Sequence, residues 1–190
     1  MTDTAELMKL RYGGETGLGV ADDMPQTVIE LLDRRCIRRY TDAPIPDDLL
    51  DTLLACAQSA PTKSNLQQYS IVVTTDRNCR MALADLVPDT GHMKYCPVFL
   101  TFCADIRRAR RIADMRGHGF ANNNMDTFLN AVVDAALAMQ CFITAAESAG
   151  LGCAPISQVR NRMQEFCDAL KLPPGVFPIA GLTVGWPAWE

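Results

Sequence analysis

The sequence predicts one domain of mixed helix and strand, of α/β or α+β class, on three observations. The chain has 190 residues, about the length of a single domain. Apolar segments with helical spacing alternate along it with short β-branched runs. Hydrophobic residues make up 48% and charged residues 21%, a balance that excludes disorder and can bury a sizeable core. Residues 1–190 therefore read as one unit, with 1–23 an N-terminal segment that is flexible or contacts a partner subunit.

Pro25 opens a helix reaching about Arg35, with Val28, Leu31 and Leu32 on one stripe. Pro46 and Asp47 open a second, running to about Ser59, with acids at its positive end and Leu49, Leu50, Leu53 and Leu54 at helical spacing. SIVVTTD (70–76) and VFLTFCAD (98–105) read as buried strands, separated by a short helix at 81–86. The longest helical pattern spans 125–149. Asp126, Asn130 and Asp134 form a polar stripe on it, but 135–146 carries no charge and should be covered on every side, as a core helix or a subunit interface. A short apolar stretch, a helix at 158–170 and a final strand, FPIAGLTVGW, complete the chain.

Charge and cysteine spacing narrow the function classes. Lys and Arg total 18 against 22 acids, a formal charge of −4, so no basic excess exists to hold nucleic acid or anionic lipid. The first residues lack a basic start and apolar core, so no secretory signal is visible. The uncharged run 172–189 is broken by four prolines and three glycines and does not suit a spanning helix. The eight cysteines form no C-x-x-C pair and only two histidines accompany them, which argues against a metal site. Free thiols in a reducing, cytoplasmic compartment are expected.

Three segments could carry chemistry. RRCIRRYTD (34–42) places Arg34, Arg35, Arg38 and Arg39 at a helix end, where forked guanidinium donors suit phosphate oxygens or merely cap the helix dipole. SAPTKSNLQQYS (59–70) is a polar loop whose short hydroxyl and amide side chains can hold a polar ligand edge or simply form a turn. SAGLGCAPISQVRN (148–161) lets backbone approach closely at two glycines, but lacks the third glycine of a dinucleotide fingerprint. Arg107 to Arg111 with Arg116 reads as a solvated helix face, and His92 and His118 as surface residues.

In this order the three segments resemble the FMN-dependent nitroreductase family. RRCIRRYTDAPIPDDLLDTLLACAQSAPTKSNLQQYSIVV is similar to its opening pattern R-x-S-[IT]-[RK]-x-[FY], a helix, then S/A-P-S/T-x-x-N-x-Q before a strand. AAESAGLGCAPISQVRN and GLTVGWP match it as well, most like its NADPH-type flavin reductase branch, over residues 24–187. The resemblance implies an α+β fold with a central mixed sheet flanked by helices, and an intertwined homodimer with FMN at the interface. It places Arg34 and Arg35 at the FMN phosphate, Cys36 where a hydroxyl is usual, and Arg38 at the flavin N1 and O2 edge. Pro61, Thr62, Lys63, Asn65 and Gln67 match the loop that reaches the flavin from the partner subunit. Ile156, Ser157 and Gln158 match the segment passing N5, although the family often has glycine at the last two.

The reaction so implied is a two-step exchange: hydride from NADPH or NADH to N5, then reduction of a nitroaromatic, quinone or free flavin, with no side chain as nucleophile. A carrier or sensor with little turnover, and a flavin-dependent dehalogenase or dehydrogenase, are the alternatives. The resembling branch continues past this chain's last residue, Glu190, with a Lys/Arg pair and a C-terminal arm, so weaker FMN binding and an unassigned reductant are expected. Each missing charge-assisted bond would cost about 1.5–3 kcal/mol.

Overall fold

A computed structural model describes residues 4–14, 17–21 and 23–188. Seven helices and four strands follow one another as α1 (Thr4–Tyr12), α2 (Gln26–Asp33), α3 (Asp47–Gln58), β1 (Tyr69–Thr74), α4 (Arg77–Asp85), β2 (Val98–Asp105), α5 (Arg107–Met115), α6 (Met125–Ser148), β3 (Gly152–Ile156), α7 (Met163–Ala169) and β4 (Val176–Gly185). Short 3₁₀ turns interrupt the connections at Lys63–Asn65, Gly91–Lys94 and Gln158–Arg160.

The strands form one sheet in the order β1-β2-β4-β3. Every pairing is antiparallel, which corrects the mixed sheet expected above. The connections explain it: Thr74 pairs with Phe99 and Ile156 with Gly181, so the chain leaves and re-enters the sheet at one end, whereas a parallel neighbour needs a crossover to the opposite end. β2 lies in the middle and is buried along almost its whole length. Leu100, Phe102 and Ala104 face the core shared with α3 and α6, while Phe99 faces the smaller core of α4, α7 and the Gly91–Lys94 turn. Helices therefore cover both faces, and a continuous apolar strand follows.

By length and composition alone α6 could cross a membrane, yet Ala131, Ala135, Ala138, Phe142, Ile143 and Ala146 sit in the core. Its other face is not covered within the chain: Leu137, with Leu129 and Val133 ahead of the 135–146 stretch, is exposed, so a core helix covered on every side by this chain is not met and the subunit-interface alternative stays open. The stretch after Gly150 is a strand, β3, and the helix expected at 158–170 is split into a 3₁₀ turn and α7. The N-terminal segment contributes α1, whose Leu7 is buried. The Asp22 position and residues 15–16 lie outside the described part.

Candidate functional site

The arginine-rich segment is fastened along the sheet edge formed by β3 and the end of β4. Ile37 N–H donates to Cys153 O at 3.1 Å, Thr41 N–H to Trp186 O at 2.9 Å and Ala188 N–H to Arg39 O at 3.0 Å. Tyr40 lays its ring on Gly185, where a Cβ would fall within 2.9 Å of ring atoms, and its hydroxyl donates to Ile37 O at 2.5 Å. Ile37 lies on Gly152 in the same way, 2.6 Å from where a Cβ would stand. Two glycines thus let the segment approach the sheet, with Ile37 turned onto it and Cys36 and Arg38 left exposed.

The three arginines Arg34, Arg35 and Arg38 differ in their freedom. Arg34 donates Nε and Nη2 to the two carboxylate oxygens of Glu147, each at 2.9 Å, in a half-buried fork that raises its already high pKa. A side-chain interaction with Cys36 acts in the same direction. Arg35 is exposed and bridges to Asp33 at 2.6 Å. Arg38 extends beside His92, which is half-buried rather than the surface residue expected. Burial first, and the Arg38 charge second, lower the His92 pKa from its ordinary value, and its Nε2 is buried without a hydrogen-bond partner. Gln158 likewise holds Oε1 buried and unpartnered next to Ser157, which is exposed.

The second group is the loop from Pro61 to Gln67. Ser64, Asn65 and Gln67 adopt positive φ of 50°, 54° and 49°, a conformation costly for non-glycine residues unless the surroundings impose it. Asp134 imposes it. Only 1% exposed, it accepts Lys63 N–H through Oδ1 at 2.9 Å and Gln68 N–H through Oδ2 at 3.1 Å, closing the loop at both ends. Arg108 adds a hydrogen bond to Gln67 O at 3.2 Å. Thr62 Oγ1 is buried without a partner, while Lys63, Asn65 and Gln67 are exposed. Neither Asp134 nor Glu147 stood among the expected site residues; the signal available was a carboxylate on an otherwise apolar helix.

Both groups hang on α6, and thirteen residues separate Asp134 from Glu147, about 20 Å along the axis. Each offers exposed donors, and each holds a buried polar atom lacking a partner. Such a set suits a ligand with anionic oxygens at one end and hydrogen-bonding ring edges and hydroxyls at the other, which is the chemistry of FMN. The residues therefore fit the cofactor that the resemblance implies.

Known proteins with the same organisation place the chain. The FMN reductase [NAD(P)H] of Bacillus subtilis is 39% identical over 168 residues, covering 87% of this chain and 67% of that protein. The oxygen-insensitive NADPH nitroreductase of Salmonella typhimurium is 39% identical over 165 residues, with the same coverage of both. Among solved structures, the hypothetical oxidoreductase YcnD from Bacillus subtilis superposes with a TM-score of 0.85 at 37% identity, over 87% of this chain and 68% of that one. The NADPH:FMN oxidoreductase from Vibrio harveyi, complexed with NAD+, gives 0.82 at 30% identity, over 87% and 70%. The nitroreductase family model matches residues 31–186, spanning the arginine segment, the Asp134-held loop and the β3 edge together, and the chain belongs to the nitroreductase family.

Proposed function

We propose that the chain is an FMN-dependent NAD(P)H oxidoreductase acting as a homodimer on a nitroaromatic, quinone or free flavin. The observation that carries this reading is the pair of half-sites on one chain, about 20 Å apart along α6 and each incomplete by itself. Two copies related by a two-fold axis would set the first half-site of one against the second half-site of the other. The exposed apolar face of α6, with Leu129, Val133 and Leu137, supplies a surface for that pairing. The activities for which the relatives described above are named, FMN reduction and nitroreduction, point to the same class.

In this reading Arg34, Arg35 and Cys36 hold the phosphate, and Arg38 stands at the N1 and O2 edge. Ile156, Ser157 and Gln158 flank N5, and Pro61, Thr62, Lys63, Asn65 and Gln67 close over the ring from the partner. FMN, when bound, supplies acceptance and donation of hydride. The chain's residues bind it, orient its ring and hold a positive charge where reduction adds negative charge, so no side chain acts as nucleophile or metal ligand.

Purified protein saturated with FMN should be yellow, should bleach with NADPH or NADH in the absence of air, and should recover its colour with a nitroaromatic or quinone. Protein that stays colourless with added FMN contradicts the reading. The engagement of Arg34 by Glu147 leaves fewer cations for phosphate and favours one second reading, a flavin carrier with little turnover. Bleaching within seconds at millimolar nucleotide excludes that carrier.

A further inference from the structure

We propose that Cys36 and Cys153 form a redox site that hydrogen peroxide closes to a disulfide, tying the arginine segment to β3. Among the described residues all eight cysteines are free thiols, and Cys36 alone of them is exposed. The peptide joining Cys36 to Ile37 donates its N–H to Cys153 O at 3.1 Å. Such a bond holds two backbones at the spacing of neighbouring strands, about 5 Å, within the roughly 4.4–6.8 Å between Cα atoms that a disulfide spans. The backbone need not slide for closure, because Ile37 already fills the space over Gly152 and Thr41 and Ala188 pin the segment further along. Side chains converge at the same place: Arg34, forked to Glu147, also hydrogen-bonds the Cys36 side chain, and the Cys153 thiol senses Glu147, Arg34 and Cys36.

The two sulfurs differ in character. Cys36 is open to small oxidants beside a guanidinium, whereas Cys153 is wholly buried, and burial above all, then the Glu147 charge, push its thiol pKa up. That asymmetry gives Cys36 the first reaction and Cys153 the second. The Cys36 sulfur attacks one peroxide oxygen: an S–O bond forms, the O–O bond breaks, and the other oxygen leaves as water with the thiol proton. The Cys153 sulfur then attacks the Cys36 sulfur: the S–S bond forms, the S–O bond breaks, and the sulfenic oxygen leaves as water with the Cys153 proton. The two thiols lose two electrons and the peroxide gains them. Closure draws the Cys36 side chain toward β3 and away from any phosphate; weaker FMN binding as a consequence rests on the flavin reading above, whereas the crosslink does not.

The experiment treats the full chain with hydrogen peroxide, blocks the remaining thiols and maps its peptides by mass spectrometry without reduction. A peptide pair joining Cys36 to Cys153 is expected, about 2 Da lighter than the two thiol peptides together and opened by dithiothreitol. Cys153→Ser should give no crosslink and leave Cys36 as a sulfenic acid that dimedone labels; Cys153→Ala repeats the test should serine disturb the core. Cys36 recovered as a free thiol overturns the proposal, as does Cys36 joined to another cysteine or to Cys36 of a second chain. Equal dimedone labelling of wild type and both variants overturns it too, since Cys153 then resolves nothing. Fluorescence titration should show FMN affinity lowered about tenfold in oxidised wild type and restored by dithiothreitol. Equal affinities overturn that consequence. Failure of the flavin reading would appear separately, as reduced wild type that takes up no FMN while the Cys36–Cys153 crosslink still forms.

Discussion

Asp134 accepts the backbone N–H of Lys63 at 2.9 Å from a position only 1% exposed, and its other oxygen takes Gln68 N–H. A buried carboxylate thus has both oxygens hydrogen-bonded by main-chain donors and fixes a loop whose left-handed residues would otherwise relax. Asp134→Asn preserves shape but sets an amide N–H against one of those donors. It should lower stability by about 1–3 kcal/mol, the cost of one buried donor left unmatched, and weaken FMN binding. Urea denaturation and a fluorescence titration with FMN measure both. Unchanged values would mean the loop keeps its form without the clamp.

The Arg34–Glu147 fork gives Arg34 a second duty besides any phosphate contact. Arg34→Ala should therefore lower flavin occupancy and also lose about 1–3 kcal/mol of stability, since it strands a largely buried carboxylate. Glu147→Gln should lose stability in the same direction while keeping Arg34 for the ligand. A double-mutant cycle in urea measures the coupling, and additive losses would show that the fork contributes nothing net.

Arg38 is exposed and makes no ion pair among the described residues, so its replacement should act on chemistry rather than on folding. Arg38→Ala should lower the reduction potential of bound FMN at saturating flavin, because a cation at the N1 edge stabilises the reduced form more than the oxidised one. Redox titration reads this directly. Identical potentials in wild type and variant would remove Arg38 from the ring edge.

Ala138 packs fully into the core, so Ala138→Glu would unfold the chain whether or not α6 meets a partner. The neighbouring Leu137, 39% exposed, separates the two cases. Leu137→Glu should leave a folded chain that elutes as a monomer and has lost most of its flavin. A folded variant that remains dimeric would take α6 out of the interface.

Much of this was legible in the sequence for local reasons. Leucines at helical spacing fixed α3, the apolar run 98–105 fixed β2, and contiguous motifs marked the arginine segment and the 61–67 loop. What escaped depends on tertiary neighbours. Asp134 resembles Asp126 and Asn130 on the same stripe, and only the loop folding over it distinguishes a buried clamp from a solvated side chain. β3 is five residues long and contains Pro155, so its strand character comes from pairing with β4 rather than from its own propensity. His92 looked like an exposed turn residue until the 3₁₀ turn carrying it packed beside Arg38.

The central claim is that one flavin site takes residues from two chains, and subunit mixing tests it most directly. Arg38→Ala damages the first half-site, and Asn65→Gly with Gln67→Gly removes side chains from the second while permitting its positive φ. Each homodimer should be nearly inactive. After dissociation and random reassociation, half the dimers are hybrids with one intact site, so about a quarter of wild-type NAD(P)H oxidation should return. Activity that stays at the average of the two separate variants would contradict a shared site.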